Sequence, residues 1–132
     1  MATGRPKTSS AELRALAKAG EHLSSGELDS VARYYVQAAR ARERSGTDPF
    51  PHYLRALEFF SAADLPRRGI TLARGLIKRR SRAALHHRPL VRFRLAQLLE
   101  QNRRHAEAKT EYGSALEGLP PGDPLAPVSY TH

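Results

Sequence analysis

The chain has 132 residues, 40% of them hydrophobic, and 22 Lys and Arg against 13 Asp and Glu give a formal net charge of +9. That length suits one domain with a core that needs no metal or disulfide staple. There is no Cys, which excludes disulfides and thiolate chemistry, and no apolar run approaches the ~18 residues of a membrane span.

Arg5 and Lys7 precede no apolar stretch, so the first residues read as neither a secretory signal nor a transit peptide. The expected location is the cytoplasm, or the nucleus in a eukaryote. Residues 1–9, with Gly4, Pro6 and small polar side chains, read as a disordered segment. Ser9-Ser10-Ala11-Glu12 fits a capping box, with Ser9 as N-cap and Glu12 reaching back. Leu13, Leu16, Ala17, Gly20 and Leu23 then recur at helical spacing. Ser24-Ser25-Gly26-Glu27 ends that helix and starts a second, Leu28 to Arg44. Its apolar stripe holds Leu28, Val31, Ala32, Tyr35, Val36, Ala38 and Ala39, with Arg33, Arg40, Arg42 and Arg44 largely off it.

Ser45 to Pro49 is a stop and a turn, and Pro51 fits the first turn of a third helix carrying Tyr53, Leu54, Leu57, Phe59 and Phe60. Pro66 starts a fourth helix, in which Ile70, Ala73, Leu76 and Ile77 point inward. Gly69 and Gly75 each weaken that helix by about 1 kcal/mol. Close approach by another helix explains both. After a dense positive stretch, Pro89 is expected to start the fifth helix. Asn102 is the expected N-cap of a sixth that runs to about Gly118, and 121–132 reads as an extended tail.

Arg92-x-x-Leu95-Ala96-x-x-Leu99, a break at Gln101 to Arg103, then Ala108-x-x-x-Tyr112-x-x-Ala115 and Pro120 resembles one tetratricopeptide repeat. Tyr53, Ala56, Leu57 and Phe60 with Gly69, Ala73 and Leu76 lay out a second unit. Leu16, Ala19, Gly20 and Leu23 with Ala32, Val36 and Ala39 lay out a third. The units span about 13–49, 50–88 and 89–120, spaced 37 and 39 residues apart, longer than the ~34 of that family. The resemblance implies an all-α fold over 10–120: three tandem antiparallel helix pairs wound as a right-handed superhelix. Small residues lie where helices touch, and large ones fill the spaces between.

In that family the first helix of each unit lines a concave groove that holds an extended or helical peptide. Carried over by position, the groove here takes Arg14, Ala17, Glu21 and Ser24; Leu54, Glu58 and Ser61; and Leu90, Phe93, Gln97 and Glu100. Glu21 and Glu58 stand where the family's carboxylate clamp needs Asn, and Ala17 and Phe93 where it needs Lys, so no chaperone-type clamp is expected. The groove suits a protein or peptide partner with basic and apolar residues. The competing reading makes Glu21, Glu58 and Glu100 a solvated face.

Arg74, Lys78, Arg79, Arg80, Arg82 and Arg88 form a basic edge that suits phosphates of a nucleic acid or a membrane surface. Its competing reading is a solvated helix end favoured by the macrodipole. No exposed aromatics interleave it to stack bases. A third option is self-association through Tyr112, Leu116 and Leu119, left uncovered if no helix caps the last unit. Six histidines, none in an HExxH pattern, read as surface residues and not as a metal site. There is no Gly-rich phosphate loop and no G-x-S-x-G elbow, so neither catalysis nor a cofactor is expected.

Overall fold

The computed structural model describes residues 8–118, and every regular element among them is a helix. In chain order these are α1 Ser10–Ser24, α2 Leu28–Arg44, α3 Phe50–Ala62, α4 Pro66–Ile77, α5 Arg82–Gln101 and α6 His105–Glu117. None is long and apolar enough to cross a membrane. The expectations for 1–7, for Leu119 and for the tail 121–132 fall outside the described residues. The chain divides into two compact units, Met1–Leu65 and Pro66–His132. The division falls inside 50–88, the stretch that the repeat pattern treats as one pair.

In the first unit α1 packs on α2 and α2 on α3. Neighbours run antiparallel: Glu12 at the start of α1 meets Arg42 at the end of α2. The seams are built from alanines, Ala15 and Ala19 of α1 and Ala32, Ala38, Ala39 and Ala41 of α2, all buried. Such small residues let helix axes approach closely. Bulk comes from Phe50, Tyr53, Leu57 and Phe60 of α3, also buried. The Tyr53 hydroxyl donates to the Glu43 carboxylate, so its polar end is satisfied.

α1 turns a different face inward from the one its leucines suggest. Its buried residues are Glu12, Ala15 and Ala19, while Leu13 and Leu23 stay 56% and 49% exposed. Ala17 and Gly20 are exposed too. The capping box is half formed. The Ser9 hydroxyl accepts from the Glu12 backbone N–H at 3.1 Å, but the Glu12 carboxylate turns into the unit rather than back to Ser9. Two side-chain donors in a buried place, one of them the Arg42 guanidinium, outcompete one backbone N–H.

Four helices end on the same device. Gly26, Gly46, Asp64 and Arg103 have φ of 75°, 74°, 57° and 62°. The next residue's N–H then bonds the carbonyl five positions back: Glu27 to His22, Thr47 to Arg42, Leu65 to Phe60 and Arg104 to Leu99. This left-handed stop satisfies carbonyls that a helix end would otherwise leave open. Asn102 therefore closes α5 instead of capping α6, whose N-cap is Arg104 with no side-chain bond.

In the second unit α4 packs on α5 and α5 on α6. A Cβ built on Gly69 would sit 2.7 Å from a methyl of Leu98, so the glycine is what lets α5 come so close. Gly75 has nothing within 4 Å of its would-be Cβ, so close approach does not explain it. Pro89 does not start α5. The helix begins seven residues earlier, where the Ser81 hydroxyl accepts from the Ala84 N–H at 3.1 Å, and Pro89 lies inside it. An interior proline forfeits one backbone bond. Leu95, Ala96, Leu98 and Leu99 of α5 and Ala108 and Ala115 of α6 are buried.

Candidate functional site

The most buried polar cluster of the first unit joins all three of its helices. Glu12 Oε2 accepts from Arg42 Nε at 2.7 Å and lies 2.8 Å from His52 Nε2. The Glu12 side chain is only 3% exposed. Arg42 also donates to the Asp48 carbonyl at 3.3 Å, which ties the turn before α3 to the cluster. Burial alone would raise the Glu12 carboxyl. Hydrogen bonds from His52 and Arg42, together with the attraction of their charges, outweigh that and hold it below the ordinary 4.5. Arg42 is thus no off-stripe surface residue, and His52 is no surface histidine. The cluster is a fastener: every group in it faces another group of the same unit.

The outward side of α1 is open. Leu13, Ala17, Gly20 and Ser24 follow one another at helical spacing and are all exposed, and Arg14 and Glu21 stand beside them. Of the other groove candidates, Leu54, Glu58 and Ser61 on α3 are half-buried. Each groove carboxylate has a local partner. Glu21 lies 3.5 Å from Lys18, Glu58 lies 3.5 Å from Arg55, and Glu100 accepts from the Tyr112 hydroxyl at 3.2 Å. Exposed pairs of this kind contribute little and break readily. In the second unit Leu90, Phe93 and Gln97 are half-buried. Phe93 meets Tyr112 edge-on, with centroids 5.5 Å apart, and Gln97 accepts from Arg94 at 2.9 Å. The groove candidates therefore divide between the units, Arg14, Glu21, Leu54 and Glu58 in the first and Phe93, Gln97 and Glu100 in the second.

Of the self-association candidates, Leu116 is half-buried, and so is Tyr112, held by Phe93 and Glu100. Burial, then Glu100, raises the Tyr112 phenol above its ordinary 10.0.

The basic edge falls wholly in the second unit. Arg74, Lys78, Arg79, Arg80 and Arg82 are exposed and Arg88 is half-buried. Where α4 ends and α5 begins, Ile77, Lys78, Arg80, Leu85 and Arg88 line an open cleft of about 610 Å³. Arg88 is fixed at its wall, since Nη2 donates to the Arg79 carbonyl at 2.8 Å. Arg74 is 3.7 Å from Glu107, a carboxylate that Arg104 shares at the same distance.

Charge is unevenly divided. Residues 1–65 hold nine Lys and Arg against eight Asp and Glu, and 66–132 hold 13 against five. From Leu65 to Leu99 there is no Asp or Glu at all, against ten Lys and Arg.

No protein-family model, no curated protein and no solved structure matches this chain.

Among the described residues no three His, Asp or Glu side chains gather as a metal site would require. His22 stacks on Tyr34 and lies 3.4 Å from Glu27. The His86 and His87 rings meet edge to face with centroids 4.9 Å apart. Sequence reasoning missed Leu85, 51% exposed at the mouth of the basic cleft. The available signal was Ser81 followed by Arg82-Ala83-Ala84, a helix start that would have put Leu85 in the first turn of a helix instead of a loop.

Proposed function

We propose that the chain is a non-catalytic interaction module of the helical-repeat kind, its helices stacked as a short right-handed superhelix. Its first helix receives an apolar helix or extended segment of a partner protein. The observation that carries this reading is the exposure of Leu13 and Leu23 on a helix whose inward face is filled by Glu12 and alanines. A helix that only had to pack would put its leucines inside. Ala17 and Gly20 beside Leu13 leave a shallow track into which a partner's side chains fit. Arg14 and Glu21 add one charge of each sign at its border, and Glu21 suits a partner with basic residues near its apolar anchors.

Affinity capture from the host lysate, with the wild-type chain and a Leu13→Asp/Ala17→Arg variant as baits, tests this. The expected result is a partner held at moderate salt by the wild type and lost by the variant. Helicity should be unchanged, since both positions are exposed. Equal capture by the two baits overturns the assignment to α1.

A further inference from the structure

We propose that the cleft at the α4–α5 junction binds the phosphodiester backbone of a nucleic acid, without reading its bases. Its walls supply Lys78, Arg80 and Arg88, and Ile77 and Leu85 give an apolar patch between them. The chain from Leu65 to Leu99, which holds all of α4 and all but the last two residues of α5, has no Asp or Glu, so no carboxylate close in sequence competes for these cations. Arg88 is already oriented by the Arg79 carbonyl. The start of α5 adds the positive end of a 20-residue helix. Ser81 satisfies one of its free N–H groups and leaves others open.

The layout favours a linear polyanion over a single phosphoryl group. Arg67 and Arg74 on the exposed side of α4 and Lys78 just past its end are spaced at i, i+7 and i+11 and lead toward the cleft, Arg74 with only the exposed Glu107 beside it. At 1.5 Å per residue that track is about 16 Å long, room for several successive phosphates. A membrane surface would call for large apolar side chains beside the cations. Here Leu85 is the one large hydrophobic residue of the described second unit that is exposed. Contact by backbone alone also accounts for the lack of stacking aromatics: Phe93 and Tyr112 are spent on each other.

The test is fluorescence anisotropy of the full chain with labelled 20-nucleotide single strands and duplexes of unrelated sequences, titrated with salt. Two double variants are compared with the wild type. Lys78→Gln/Arg80→Gln removes two cations from the cleft, and Arg33→Gln/Arg40→Gln removes two exposed ones from α2. Both lower the net charge equally. Binding should be indifferent to base sequence and fall steeply with salt. The cleft variant should bind about tenfold more weakly at low salt, with a log–log salt slope shallower by roughly 1.4 on single strands. The α2 variant should stay within about twofold of the wild type. Equal losses in the two variants would mean that net charge alone is felt, and the cleft assignment fails. No binding at low salt also overturns it, as does binding confined to vesicles rich in phosphatidylserine. The outcome is independent of the α1 reading, because the two sites share no residue.

Discussion

Glu12 occupies a position on α1 where leucine would be the ordinary choice, and its burial is possible only because the Arg42 and His52 side chains meet it with hydrogen bonds. Arg42 and His52 stand 30 and 40 residues away in the chain, so the carboxylate links the start of α1 to the end of α2 and the start of α3. Breaking such a pair leaves a buried partner uncompensated, at about 3 kcal/mol. Arg42 still reaches water through its 25% exposure, which places Glu12→Gln toward the lower side of that figure. The pH dependence has a defined sign. The folded carboxyl is held below its ordinary value, so as pH falls the unfolded chain takes up the proton first. The contribution is therefore complete above the unfolded value of about 4.5 and is lost as the pH falls through the lower, folded one. Urea midpoints of wild type and Glu12→Gln should differ most at neutral pH and converge as the pH falls below 4.5. Parallel curves would show that the charged form of Glu12 adds nothing to stability.

At the scale of the helix, two glycines of one element face opposite consequences. Gly69 lies where the buried Leu98 side chain of α5 fills the space a Cβ would take, so Gly69→Ala must displace that side chain within a packed seam and should cost about 1–3 kcal/mol. Gly75 faces open space, so Gly75→Ala should gain up to about 1 kcal/mol from helix propensity alone. Thermal melts of the two variants should shift in opposite directions, and a shared direction would refute the packing account of α4. The same helices show what a sequence can and cannot disclose. The starts of α2, α3 and α4 were legible because local chemistry decides them: a turn at Gly26, Pro51 in a first turn, Pro66 at a first position. The start of α5 was hidden because Pro89 is a strong local stop that tertiary packing overrides, its ring lying close against Gly118. The inward face of α1 was illegible for a different reason. Periodicity assigns leucines to the core, and only knowledge of Arg42 and His52 explains why Glu12 goes there instead.

For the molecule as a whole, the helical class and the alanine seams followed from spacing, but the difference in charge between the two units did not. Groove positions carried over from a repeat pattern treat the first helices as equivalent. The charge count makes the units unlike: residues 1–65 are close to neutral, and 66–132 carry 13 cations against five anions. Like charges that close repel one another, and the second unit folds against that repulsion. Salt should therefore act on the two units differently. Raising ionic strength from about 0.02 M to 0.2 M cuts the screening length from roughly 20 Å to 7 Å. Repulsion among Arg67, Arg68, Arg74 and Lys78 to Arg82 then weakens. The first unit has little repulsion to lose, and its Glu12–Arg42 pair is largely shielded from ions by burial. Amide hydrogen exchange followed residue by residue should show protection rising with salt across α4, α5 and α6 and changing little across α1, α2 and α3. A uniform response would mean that the excess charge is already neutralised within the fold, and the basic cleft would then lose its electrostatic basis as well.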